Sequence, residues 1–208
     1  VMLDGESVRK RMLDAVRSGD PRLRGYACTA LGILRGPDAM EALKIALDDE
    51  DLAVRKSAVE GLARSADRAD VLDALKLLLG ERDPQLRLAV LAALLRINAE
   101  EALPSLELSL ADPDPWVRFK TIKLTAQVRN GKTLDVLMRN YSNQDDAGRR
   151  AICDALADFP GKDKVVVPFL EEKKGQAGGD ERLTQSISKA LQKIRDRKSG
   201  GRGGKKAS

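Results

Sequence analysis

Histidine is absent from all 208 residues. That removes every His-dependent catalytic triad, imidazole metal site and imidazole general base. Cysteine occurs twice, too few for a four-cysteine zinc site or a disulfide framework. No apolar run approaches the roughly 20 residues that cross a bilayer. Aromatic residues are only 3% of the chain, although hydrophobic residues reach 42%. Ala, Leu and Val must therefore fill the core, which favours helix packed on helix over a β-sandwich. These absences predict a soluble monomer of a reducing compartment, the cytoplasm, with no membrane span, metal or cofactor.

Charge is unevenly placed. Arg195, Arg197, Lys198, Arg202, Lys205 and Lys206 stand against Asp196 alone, and these residues supply the whole net charge of +5. Residues 1–194 therefore sum to zero. The segment 198–208 is basic and Gly-rich, and is expected to be a disordered tail. Such a tail can make a weak polyanion contact through counterion release.

What the chain does contain is a repeat. Asp20, Asp51, Asp83, Asp114 and Asp145 each precede an arginine by four residues, and their spacings are 31, 32, 31 and 31. The arginines are Arg24, Arg55, Arg87, Arg118 and Arg149. A sixth unit opens at Asp180 with Thr184 in the Arg place. Relative to each Arg, small or apolar residues recur at offsets −1, +3, +4, +7 and +10, a single stripe on a helix. Val54, Ala58, Val59 and Leu62 show it in the second unit, where Ser65 takes the +10 place. Small residues at +3 let helices approach. Each Asp is placed to cap free backbone N–H groups, and Pro21, Pro84 and Pro115 occupy the first helical position. Shorter Leu-rich helices are expected between these, at 8–16, 39–47, 71–79, 102–110, 134–141 and 165–170. The linker 171–179 is expected to be mobile.

A helical pair of about 31 residues opening on Asp-x-x-[Val/Leu]-Arg resembles the short HEAT-like repeat, the variety named after phycobilisome lyases. The resemblance covers roughly residues 6–195. It implies an all-α, right-handed α-solenoid of about six antiparallel helix pairs, here residues 1–197, with the second helices on the concave side. It further implies that each Arg reaches the Asp or loop carbonyls of a neighbouring unit. The iron-dependent hydroxylase with this repeat uses His-Glu motifs, which this chain cannot supply. Cys28 and Cys153 share the +4 core offset, which marks them as buried structural thiols.

Function should then reside on second-helix positions that face away from the stripe, at offsets −2, +1, +2 and +5. The fifth unit presents Ala147, Arg150, Ala151 and Asp154 there. Leu88, Trp116 and Phe119 are large apolar groups at such places, rimmed by Lys120, Lys123 and Arg150. A patch of this kind is a protein-binding hot spot in form, suited to an amphipathic helix or an acidic-hydrophobic peptide. No catalytic constellation is expected. The function implied is a non-enzymatic scaffold or adaptor for a protein or peptide. The alternatives are nucleic-acid binding by a HEAT-like protein, through the tail or a groove, and a bilin-lyase-type enzyme subunit.

Overall fold

The computed structural model describes residues 5–64, 69–128 and 130–203. Among these it holds twelve α-helices, three 3-10 turns and no strand. The chain divides into two compact units, Val1–Ser105 and Leu106–Ser208, where the sequence suggested one uninterrupted stack. The first unit contains α1 (Gly5–Ala15), α2 (Pro21–Leu34), α3 (Pro37–Ile45), α4 (Leu52–Arg64), α5 (Ala69–Leu77) and α6 (Pro84–Ile97). The boundary falls inside α7 (Leu103–Leu110). The second unit continues with α8 (Pro115–Val128), α9 (Gly131–Asn140), α10 (Asp146–Ala157), α11 (Asp163–Gln176) and α12 (Glu181–Gly203). Even-numbered helices are the second members of the pairs. They pack side by side, α2 on α4 on α6 in one unit and α8 on α10 on α12 in the other.

Every repeat aspartate caps its helix. Oδ1 of Asp20 accepts from the Arg22 N–H, Asp51 from Ala53 and Val54, and Asp83 from Gln85 and Leu86. Asp114 accepts from Trp116, Asp145 from Gly148 and Asp180 from Leu183. Each such cap contributes about 1 kcal/mol to helix stability. The middle of the predicted stripe is the core, while Leu23 at offset −1 is 44% exposed and Leu34, Ile97 and Val128 at +10 are half-buried. Offsets +3, +4 and +7 are inaccessible to solvent in the first five units, from Ala27, Cys28 and Leu31 to Ile152, Cys153 and Leu156. Ser65 lies outside the described residues.

Helices stack closely because they meet through small residues. A Cβ placed on Gly32 would stand 2.4 Å from the Gly61 Cα, and one on Gly61 would stand 2.8 Å from the Cys28 carbonyl oxygen. Gly25 faces Ser57 more loosely, a Cβ there standing 3.4 Å from the Ser57 hydroxyl. The receiving face is thus built from offsets +2 and +6. They are Ser57 and Gly61 on α4, Ala89 and Ala93 on α6, Ala151 and Ala155 on α10, and Ser186 and Ala190 on α12. The rule lapses at Tyr26 on α2 and at both Lys120 and Leu124 on α8.

Three expectations change. First, the repeat arginines mainly clamp the turn that precedes their own helix. Nη1 of Arg55 donates to the carbonyls of Asp49 and Glu50, that of Arg87 to Glu81 and Arg82, and that of Arg118 to Asp112 and Pro113. Arg24 and Arg118 also reach the following unit, at Asp49 (2.8 Å) and Asp145 (2.7 Å). A guanidinium has five donors in a rigid fork, so one residue serves both turns.

Second, α11 does not end at Leu170 but runs on to Gln176, through most of the linker expected to be mobile. Glu172 accepts from Lys173 and Gln176, and the Lys173 ammonium lies over the rings of Tyr141 and Phe169, at 6.0 and 5.4 Å. The turn is left to Gly178 and Gly179, both at positive φ. Third, α12 continues to Gly203, through residues 198–203 of the expected tail. Arg197 ties it down by donating to the carbonyls of Ala157 and Phe159 and by pairing with Asp163. Residues 204–208 lie outside the described residues.

Candidate functional site

The second helices of the second unit line an open groove of about 460 Å³. From α8 it takes Phe119 and Lys123. From α10 it takes Ala147, Arg150, Ala151 and Asp154, and from α12 Arg182, Gln185, Ser186 and Lys189. Caps, clamps and small-residue contacts fix the three backbones, so the groove is presented by rigid elements rather than by loops.

Its electrostatics are one-sided. Lys123, Arg150, Arg182 and Lys189 face a single carboxylate, Asp154. The residues before 195 are neutral in total, yet this surface is locally cationic. Phe119 is 36% exposed and Trp116, just outside the groove, is 42% exposed. Lys123 Nζ sits 5.6 Å from the Phe119 ring centroid, and Lys120 Nζ 5.9 Å from that of Trp116. Both pairs lie within cation–π range, worth about 0.5–1 kcal/mol at exposed sites. They hold the lysines over the rings while leaving their N–H groups free to meet an anion.

Of the six residues singled out from sequence, five lie in this unit. Phe119, Lys123 and Arg150 line the groove, and Trp116 and Lys120 flank it on α8. Leu88 sits on α6 in the first unit, half-buried. Ala151, expected to face outward, is 3% exposed. At offset +2 it belongs to the small-residue face that receives α8.

Sequence reasoning missed the third wall. Arg182, Gln185, Ser186 and Lys189 occupy offsets −2, +1, +2 and +5 from Thr184, the same offsets used for the other units. The register was available from Asp180, but the missing Arg hid it.

Neither thiol can act from this surface. Cys28 and Cys153 are free, fully buried, and pushed up by burial to about 11 and about 12. Tyr141, under the Phe169 ring edge at 5.5 Å, is likewise raised to about 12 by burial. Among the described residues, no three His, Cys, Asp or Glu side chains converge as metal donors. No described helix is long and apolar enough to cross a membrane.

Comparison with known proteins bears on the fold. The family of HEAT repeats matches residues 3–63 and 40–118, together more than half of the chain. The bilin biosynthesis protein PecE of Mastigocladus laminosus is 37% identical over 93 residues, covering 44% of this chain and 34% of its own length. The match thus spans about a third of that curated relative. Among solved structures, the S. pombe condensin Cnd3–Cnd2 subcomplex aligns over 95% of this chain and 28% of that one, with a TM-score of 0.64 and 20% identity. A designed armadillo repeat protein in complex with the peptide (KR)4 aligns over 88% of this chain and 98% of its own, at 0.51 and 17%. At these identities the two structures speak for the fold, an α-solenoid of repeated helix pairs.

Proposed function

Since the chain belongs to the HEAT-repeat family, we propose that it is a non-enzymatic scaffold, which binds a protein or peptide on the second helices of its C-terminal unit. The observation that carries this reading is the groove. Three rigid helices offer four cations, one acid and an exposed ring, a chemistry of contact. Trp116, Phe119, Lys120, Lys123 and Arg150 are the proposed partner-binding residues, joined by Arg182 and Lys189. Buried, protonated thiols fit a reducing, cytoplasmic setting, and the scaffold is proposed to act as a monomer.

The test uses the full chain beside a Trp116→Ala/Phe119→Glu double variant. A captured partner should protect α8, α10 and α12 from hydrogen exchange, and the double variant should lose it while keeping its helical circular dichroism. Protection confined to other helices, or unchanged binding by a folded double variant, sinks the proposal.

One observation favours a second reading, a subunit of a bilin-handling enzyme: the 93-residue likeness to PecE. Mixing the chain with a bilin and an apo-phycobiliprotein decides it. A change in the visible absorption of the bilin that needs this chain would support the enzyme reading over the scaffold.

A further inference from the structure

The groove has a grain. Lys123, Arg150 and Arg182 belong to three successive second helices and sit at offsets +5, +1 and −2. Each step to the next helix therefore drops by about one turn. Neighbouring packed helices lie about 8–10 Å apart, and one turn is about 5.4 Å. The cations thus form a diagonal with steps of about 10–11 Å. Asp154 stands beside this line, between Lys123 and Lys189 on the +5 row. Phe119 and Trp116 flank its α8 end.

Resting on the scaffold reading, we propose that this diagonal receives an acidic segment in the polyproline II conformation, with a carboxylate at every third residue and an apolar residue beyond the α8 end. Spacing decides the conformation. Polyproline II returns a side chain to the same face every three residues, about 9.3 Å. A β-strand does so every two or four residues, at about 6.6 or 13 Å. Of these extended spacings the first comes nearest to the step between the cations.

The groove is open. A single extended backbone, about 4.8 Å across, can lie along it, whereas an α-helix about 10–12 Å wide would rest on its rim.

Asp154 decides the class of macromolecule. A peptide can set an amide or a basic residue against it. A nucleic-acid strand would bring uniform phosphate charge against a carboxylate, and the Phe119 face that could stack a base already carries Lys123.

The test is fluorescence anisotropy of the full chain with labelled nine-residue peptides of one composition, rich in Pro and Ala. One carries Glu at positions one, four and seven; another carries Glu at one, three and five. The first should bind about 10-fold more tightly, and Arg150→Gln and Arg182→Gln should each weaken it about 10-fold, in keeping with loss of one close charge pair. Arg182 is exposed near the start of α12, so its substitution leaves the fold intact. Equal affinity for both spacings overturns the proposal. So does an oligo-dT probe that binds as tightly and is insensitive to Asp154→Asn. A protein partner that still protects α8, α10 and α12 when no acidic peptide binds would overturn this inference and leave the scaffold reading standing.

Discussion

Replacing Gly32 by Ala tests how the first stack is held together. In isolation the change favours the helix by about 0.8–1 kcal/mol, because Ala loses less backbone entropy. The structure opposes it. The new methyl would lie 2.4, 2.7 and 2.9 Å from the Cα, carbonyl oxygen and carbonyl carbon of Gly61, all backbone atoms. No rotamer change relieves that; α2 and α4 must separate by about 1 Å. Overpacking of this kind costs about 1–3 kcal/mol and occasionally more.

Gly25→Ala is the control on the same helix. It makes the same propensity gain, but its methyl meets only the Ser57 hydroxyl, at 3.4 Å. The difference between the variants removes the common term and leaves the contact, about 1–3 kcal/mol. For a unit of about 100 residues, each kcal/mol moves the melting temperature by roughly 4–8 °C. Thermal unfolding followed at 222 nm should place Gly32→Ala well below Gly25→Ala, with wild type between them or near the control. Equal or reversed melting temperatures would refute the claim that glycine-on-glycine contact sets the spacing of α2 and α4.

Three further outcomes follow from named groups. Hydrogen bonds from Arg24 hold the Asp49 carboxyl below its usual range. Asp145 is lowered first by the Gly148 N–H and then by Arg118. A depressed carboxylate stabilises the fold above its unfolded value of about 3.9, and that stability is lost as pH falls through the folded value. Asp49→Asn should therefore lower stability at neutral pH and flatten its decline in acid, as read by urea unfolding at several pH values. The cysteines act at the other end. Unfolded thiols ionise near 8.5 while the folded ones hold their protons to about 11 and about 12. Stability should fall as pH rises above roughly 8.5, and a thiol reagent should label the native chain only at its opening rate. Arg118→Met removes donors to two turn carbonyls and to Asp145. It should cost about 1–3 kcal/mol in denaturant titration, without loss of helix content in the folded state.

Much of the fold was legible because it is written locally. A capping Asp, a Pro at the first helical position and a 3.6-residue stripe each act within one helix, and they recur often enough to set a register. What stayed hidden depends on other segments. The continuation of α11 past Leu170 rests on Glu172 and Gln176 one turn apart, but also on the Tyr141 ring beneath Lys173. No reading of residues 171–179 alone supplies that ring. Ala151 looks exposed on a helical wheel because it lies away from the core stripe, yet the neighbouring helix is a second core for that face. The arginines kept their register while changing partners, because a turn carbonyl six residues upstream competes with an acid in the next repeat. The α8 and α10 walls of the candidate site were visible through Phe119, Lys123, Ala147, Arg150, Ala151 and Asp154; the α12 wall was obscured by a single Thr in the Arg register.

The offsets divide the labour between stability and recognition. Positions +3, +4 and +7 face the core, as does −1 in every unit but the first. Positions +2 and +6 receive the preceding second helix, and +4 and +8 meet the following one. A helix packed on both sides, such as α10, therefore keeps mainly −2, +1 and +5 for a ligand: Ala147, Arg150 and Asp154. That narrow allowance makes the groove addressable. Changing a charge at one of the three positions alters what lies across the helix while leaving the core stripe intact, and surface changes of that kind usually stay within about 0.5 kcal/mol in stability. Recognition must then be spread over several helices, one or two side chains from each, with a step set by helix spacing rather than by the ligand. A ligand suited to such a ruler has a matching repeat of its own, and a chain that returns its side chains every three residues has one.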